Sequence, residues 1–455
     1  MPLYLLTLLQ SLEAGRSGEF KESALGYYYE FLLTEGLLSA GVHRDKLTEL
    51  FEYCTQLAWF YHTNNNRELS KEELIGFNKI FSAKWHTVDF NERISTLTQA
   101  KVLLCRGNYY IFRYPYVYYF LKGRYLSHNL SDIQTREYIE HCCEHLYVRE
   151  NANTVLFLAH HANDDFVMRA ILTSLKDLFN QHKPITFESD TAKIAALISS
   201  TPTLEYIGTP PEKHREALNE VKDEFDNGHD GLLDKEEDLG EGLSLIAQLT
   251  SLFKTVEILG QVLKNQYARI ERSKKVDILD ELFSGPLRAL TGFYEYLSEN
   301  PDSLVAEIDS ELKRRHKLDD PEKRKILSRE IAGRLIQVIS LGFIYKASSS
   351  VSSDSLREDI HTAVTRTNTP AFRLIELGVL LDSSDPLPKD VMLKLKEDTE
   401  KDVIAISLIR MLIMRHLYMF KTDERDKQWL ASKFGLILGL QHVVDFNSAK
   451  NKRVK

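Results

Sequence analysis

Two histidines four residues apart enclose a glutamate in the string His141-Cys142-Cys143-Glu144-His145. Residues at that spacing share one face of a helix, and neutral imidazoles on one face bind zinc when a further ligand closes the set. No helical segment downstream supplies a convincing third ligand. His160-His161 is a source, but a pair at a helix end reads more simply as a cap. Cys142 and Cys143 fall on an apolar stripe with Ile139 and Leu146, so the histidines belong by default to a solvated polar face beside a packed one.

A second ligand pattern runs from Asp226 to Glu237. Asp226, Asp230 and Glu237 stand at the first, fifth and twelfth positions of a calcium-type loop, with Gly231 at the sixth and Leu233 at the eighth. Gly228 occupies the third position and offers no side-chain oxygen, and no second loop is present to pair with it. Losing one ligand of a hard-cation cage is serious, so residues 223–242 read as an acidic, glycine-bearing connector.

The third pattern is the segment KVLLCRGNYYIFRYPYVYYFLKGRYL, Lys101 to Leu126. It holds five basic residues (Lys101, Arg106, Arg113, Lys122, Arg124), no acid, and many tyrosines. Such a mixture suits a surface that contacts nucleic-acid phosphates. The adjoining helix, Glu92 to Gln99, offers only Arg93 as a base, and its neighbours are acidic. Other chemistry is missing. Gly15 to Lys21 lacks the G-x-x-x-x-G-K-[ST] spacing, since Lys21 does not follow the second glycine, and no G-x-S-x-G elbow stands out. Catalysis by this chain alone is not expected.

The elements that must position these residues are mostly helical. Within Lys101–Leu126, Val102–Cys105 and Tyr109–Arg113 read as strands joined by a tight turn around Gly107-Asn108, and Pro115 opens a helix to about Leu126. Nothing else reads as strand. A lone hairpin is not stable in water, so Tyr109, Ile111 or their neighbours must pack on the Glu92–Gln99 helix. Upstream stand helices at Tyr27–Leu38, Asp45 to about His62, a capping box at Ser70–Glu73 opening a helix to Trp85, and another at Asp89–Glu92. Three helices and then a two-stranded wing is the winged-helix order. From Ser131 onward the pattern is helical throughout, with the acidic connector and the serine run Ser348–Ser355 as joints.

Composition sets the outer bounds. The chain has 455 residues, 43% of them hydrophobic and 27% charged, with a net charge of −8. That charge argues against wholesale nucleic-acid coating. Four cysteines (Cys54, Cys105, Cys142, Cys143) without a framework pattern point to a reducing cytoplasm. The start, MPLYLLTLLQ, has no basic leader region. The most apolar run, Val403 to Phe420, carries Arg410, Arg415 and His416, so a buried core helix is expected there and no membrane span.

The residues Phe112-Arg113-Tyr114-Pro115, with the aromatic helix ending Gly123-Arg124-Tyr125-Leu126, resemble the motif closing the winged-helix domain of STAND and NACHT-type signalling NTPases. Pro2-Leu3-Tyr4-Leu5-Leu6 is similar to the segment just after the ATPase core in that family, and with the helical remainder as its sensor region the chain looks most like the bacterial antiphage-defence branch. The resemblance covers about a third of the chain. The family's nucleotide-facing histidine falls here on Tyr114, with Arg113 beside it as the conceivable substitute. A phenol donates a hydrogen bond but carries no imidazolium charge. ATP and magnesium would need an NTPase core outside this chain, and no cofactor is expected within it.

The expected fold is mostly α, a winged helix with one β-hairpin followed by an irregular solenoid or bundle. Its divisions are a helical segment at 1–40, the winged helix at 41–128, a helical domain at 129–222, the connector at 223–242 and a sensor-like helical domain at 243–455. The expected function is a non-catalytic sensor that recognises a foreign protein trigger, with an effector or NTPase core as a further partner and self-association open. The rivals are a DNA-binding winged-helix regulator with a helical dimerisation domain, and a plain helical scaffold.

Overall fold

The computed structural model describes residues 25–162, 164–187, 192–199, 201–217, 244–299, 301–315 and 320–438. These are mostly helical. The described residues within Met1–Ser174 and Leu232–Gln266 form one compact unit, and those within Leu175–Gly231 and Tyr267–Lys455 form another.

The first unit begins with α1 (Leu25–Ser39), α2 (Leu47–Thr63), β1 (Leu69–Ser70), α3 (Lys71–Lys84) and α4 (Phe90–Gln99), followed by β2 (Leu103–Arg106) and β3 (Tyr109–Phe112). Local chemistry fixes the helix starts. Ser70 accepts from the Glu73 backbone N–H, and Glu73 accepts in turn from the Ser70 N–H at 2.7 Å, a complete capping box. Asp89 accepts from the Glu92 N–H at 2.8 Å. The hairpin turns through Gly107, whose φ of +61° suits a residue without Cβ.

The sheet is larger than the sequence suggests. β3 is central, with β2 antiparallel on one side (Leu103↔Phe112 to Arg106↔Tyr109) and β1 antiparallel on the other (Leu69↔Tyr110, Ser70↔Tyr109). A two-residue strand has too little length to show alternation, which is why β1 escapes a sequence reading. The inward residues also differ from expectation. Tyr109 is 48% exposed, whereas Phe112 is buried, with its ring 5.2 Å from that of Tyr61. The Tyr61 hydroxyl donates to the Tyr110 carbonyl at 2.6 Å and pins the hairpin to α2. On the other edge, buried Leu103 brings β2 against α4.

Three further helices complete the neighbourhood of the site: α5 (Pro115–His128), α6 (Ile133–Glu144) and α7 (Arg149–His161). Val117 to Gly123 are buried without interruption, because α5 is covered by α2, α1 and α7 on different faces. Gly123 permits the closest approach. A Cβ there would lie 2.7 Å from the Leu158 nitrogen and 2.8 Å from the Phe157 carbonyl carbon. After α8 (Asp165–Asp177), and after α9 (Ala192–Ser199), which belongs to the second unit, α10 (Leu245–Gln266) packs on α7, and Gln266 donates to the Ala159 carbonyl at 3.0 Å.

In the second unit, α11 (Arg272–Glu299), α12 (Pro301–Arg314), α13 (Pro321–Val351), α14 (Arg357–Thr367), α15 (Pro370–Leu380), α16 (Lys389–Asp398), α17 (Val403–Met419) and α18 (Glu424–Phe434) follow in order. Helix α13 touches α9, α11, α12, α15 and α17. Two short strands, β4 (Glu205–Tyr206) and β5 (Ile437–Leu438), pair in parallel, a further departure from the single-hairpin expectation. The serine run is not a joint along its length. Helix α13 continues to Val351, with Ser348 fully buried and the Ser348 and Ser350 hydroxyls bonded back to the Tyr345 and Ala347 carbonyls. Serines satisfied in this way can stay helical. Helix α17 is a core helix whose polar groups are used: Arg410 donates to the Phe434 carbonyl, Arg415 pairs with Asp382, and a His416 ring nitrogen lies 2.9 Å from the Leu381 carbonyl. No helix among the described residues is long and apolar enough to cross a membrane.

Candidate functional site

A buried lysine marks the site. Lys122 lies one turn after Tyr118 on α5, and none of its side chain reaches solvent. Its Nζ donates to Glu150 Oε1 at 2.5 Å and to the Tyr138 hydroxyl at 2.6 Å. Glu150 stands in the first turn of α7, where the helix dipole favours a carboxylate. Arg67, on the loop between α2 and β1, donates from Nη2 to the other Glu150 oxygen at 2.6 Å. The Tyr118 hydroxyl adds a 3.2 Å bond, and His62 Nδ1 lies 3.7 Å away. One carboxylate therefore joins α2, α5, α7 and the Arg67 loop.

The electrostatics follow from burial and pairing. Burial alone would raise the Glu150 carboxyl, but His62, Lys122 and Arg67 together hold it far below the usual carboxylate range. Burial lowers Lys122, against the pull of Glu150. Desolvation also raises the Tyr118 and Tyr138 phenols well above their ordinary value, so both stay protonated.

Beside this cluster lies a cavity of about 380 Å³. Its walls include Ile111 and Phe112 of β3, Pro115, Tyr118 and Tyr119 of α5, and Arg149 and Glu150 of α7, with Arg67 at its side. The Arg67 guanidinium lies 4.2 Å from the Tyr118 ring centroid and 5.3 Å from that of Tyr119, a cation–π arrangement that fixes its plane. Residues 67–121 match the model of a family described as Novel STAND NTPase 4. The match supports a relation to STAND-type NTPases. It begins at Arg67 and takes in the sheet, Arg113, Tyr114 and the first two turns of α5, but stops one residue before Lys122. No curated protein matches the chain. No solved structure does either.

The residues singled out by motif are distributed differently. Arg113 and Tyr114 are adjacent to each other in space as in sequence, with Arg113 Nε 3.3 Å from the Tyr114 hydroxyl. Arg113 is exposed, and Tyr114, the N-cap of α5, lines a separate 170 Å³ cavity with Gly36 of α1 and Lys101. The rings of His141 and His145 stack at 4.3 Å, but α6 ends at Glu144 and His145 is its C-cap. Among the described residues no three His, Cys, Asp or Glu side chains are grouped to hold a metal. Asp226, Asp230 and Glu237 lie outside the described residues.

The basic stretch is not a continuous phosphate-contacting face. Lys122 is sealed inside, and Arg124 is half-buried with its guanidinium 5.5 Å from the Phe51 ring. Arg93, the one base on α4, pairs with Glu49 and packs 5.1 Å from the Tyr53 ring. Sequence reading missed the Lys122–Glu150–Arg67 cluster because it counted Lys122 as a surface base. The available signal was its place in a run with no polar neighbour on either side, Phe120-Leu121-Lys122-Gly123.

Proposed function

We propose that this chain is the regulatory and sensing portion of a STAND-type signalling NTPase and does not itself turn over nucleotide. The family match over residues 67–121 carries the reading. It is supported by the order helix, strand, helix, helix, hairpin from α2 to β3, with β3 central, which we read as a winged helix. In this reading the winged helix holds an ATPase core closed. Arg113 and Tyr114 face its nucleotide, and ATP and magnesium are bound by residues outside this chain. The helices of the second unit, read as an irregular bundle around α13, recognise a foreign protein trigger in antiviral defence. Switching requires two states whose balance the trigger biases. Four free cysteines fit a cytoplasmic protein. The engagement of Arg93 by Glu49 disfavours the DNA-binding rival.

Phage challenge of cells carrying the encoding gene tests this reading. Protection by the intact gene that is lost when residues 267–438 are deleted is the expected result. No protection against any phage of a broad panel, or protection indifferent to that deletion, would overturn it. Hydrolysis of ATP that co-purifies with the folded chain and survives a change of affinity tag would overturn the non-catalytic assignment.

A further inference from the structure

Helix α13 carries an apolar stripe that is covered along only part of its length. Leu327 and Ile331 stand four residues apart, and Leu335, Val338, Ile339 and Gly342 continue the same face at steps of three and four. The first two are half-buried, whereas Leu335, Val338 and Ile339 are 41%, 50% and 38% exposed. An ideal Cβ on Gly342 meets no atom within 4 Å. Singly exposed aliphatics need no explanation, but a run of them on one helix face does.

The cover is α12, and its length decides where the cover stops. It has 14 residues against 31 in α13, about 21 Å against about 46 Å. Arg324 Nε donates to Asp309 at 2.9 Å and sets the register of the packed pair. Consecutive helices packed across a short connection run antiparallel. Eight residues back from Asp309, α12 begins at Pro301, and eight residues on from Arg324 is Ala332. Leu335 to Gly342 lie beyond that point.

The covering helix also shows what fits. It sets Leu304, Val305 and Ile308 among the acids Glu307, Asp309 and Glu311, and one of these acids meets an α13 arginine. The bare half has a matching feature. Arg334 stands one turn before Val338, and it donates to the Gln337 amide oxygen at 3.0 Å and to the Pro202 carbonyl at 2.7 Å. Neither acceptor is charged, and burial lowers Arg334 with no carboxylate among the described residues to oppose it. Such a guanidinium suits an incoming carboxylate. Three half-exposed side chains bury far less than the about 800 Å² per partner of a stable dimer, which disfavours permanent self-association on this face.

We infer that the bare half of α13, Leu335 to Gly342, is a docking site for one amphipathic helix of a partner protein, apolar on the face it buries and acidic along the edge that meets Arg334. Gly342 lets the two backbones approach, and the aliphatic anchors have the spacing of helix-in-groove recognition. Under the sensing role proposed above, on which this assignment alone rests, the helix belongs to the trigger. Docking and role fail separately, because peptide binding reads the face and phage protection reads the role.

Fluorescence anisotropy tests it, with the full chain and a labelled peptide of residues 301–314 held helical by a staple between positions 306 and 310, both exposed in α12. The peptide should bind saturably with a Kd of a millimolar or tighter. Its counterpart carrying Glu307→Lys, Asp309→Lys and Glu311→Lys should bind at least tenfold more weakly. Val338→Asp in the chain should abolish binding, and Arg334→Gln should remove most of the difference between the two peptides. Should Val338→Asp fail to fold, Gly342→Glu decides, since it adds an acid in open space on the same face. No saturable binding, equal binding of the two peptides, a difference that Arg334→Gln leaves intact, or binding that survives Val338→Asp or Gly342→Glu would each overturn the proposal. Self-association that Val338→Asp removes would assign the face to a second copy and overturn it as well.

Discussion

Lys122 Nζ and Glu150 Oε1 are 2.5 Å apart, and the lysine side chain has no exposure at all while the glutamate side chain keeps 28%. The two residues are therefore not equivalent, and removing one should not cost the same as removing the other. Glu150→Ala leaves an ammonium buried without its counter-charge, at a cost of about 3–5 kcal/mol. Lys122→Met leaves Glu150 still paired with Arg67 and fills the same channel, so the loss should stay near ~1–2 kcal/mol. Urea unfolding followed by Trp59, which stacks on Tyr125 at 4.4 Å in this unit, reads both in a background with Trp85 and Trp429 changed to Phe. Equal costs, or a larger one for Lys122→Met, would show that the ammonium is not what the carboxylate stabilises.

Two glycines in helices should respond with opposite signs. Gly123→Ala drives a methyl into the Leu158 nitrogen at 2.7 Å, and backbone cannot turn away as a side chain could. The α5–α7 contact must open, at a cost of about 1–3 kcal/mol. Gly76 in α3 has no atom within 4 Å of the same ideal position, so Gly76→Ala should stabilise by about 0.5–1 kcal/mol. The paired Tm shifts, one down and one up, are the check.

Calcium should leave the chain unchanged. A site filled at a hundred times its Kd would add about 2.7 kcal/mol, enough to move Tm by more than about a degree in a domain of ordinary size. With Gly228 at the third loop position, no shift is expected at millimolar calcium. A shift that disappears in Glu237→Ala would identify Asp226–Glu237 as a site.

The residues that could be read from sequence are those whose signal is local. The Ser70–Glu73 box and the Gly107 turn each reside within a few positions, and both are present as expected. Long-range partners leave no such trace. Leu69 becomes a strand residue only because Tyr110 lies opposite it. Lys122 is interpretable only with Glu150, 28 positions away on another helix. The serine run misled for a related reason. Composition alone suggested a joint, but hydroxyl bonds back to the preceding turn and the burial of Ser348 and Val351 keep it helical. The nucleotide-facing assignment of Arg113 and Tyr114 is a motif reading that depends on an NTPase core outside this chain, so no geometry within the described residues bears on it.

Acid should destabilise the first unit in two stages. Burial lowers His161 to about 3, helped by its positive neighbours His160 and Arg124 and opposed by the Phe120 carbonyl 3.1 Å from Nε2. Burial also lowers His62 and His160. A histidine whose folded pKa is depressed binds its proton more readily when unfolded. Its stabilisation is complete above the unfolded value of 6.5 and declines as pH falls toward the folded one. Glu49 behaves in the same sense at lower pH. Partial burial would raise it, but Arg93 and His86 hold it at about 2, so its contribution declines from 4.5 downward. Glu150, also depressed, joins the second stage. The Trp59-reported stability should thus begin to fall below pH 6.5 and fall more steeply below 4.5. His161→Gln keeps a donor for the Phe120 carbonyl and removes one titration, so it should flatten the first stage by up to about 1.4 kcal/mol per pH unit. An unchanged slope between pH 6.5 and 5 in that variant would mean that His161 does not titrate on unfolding in this range.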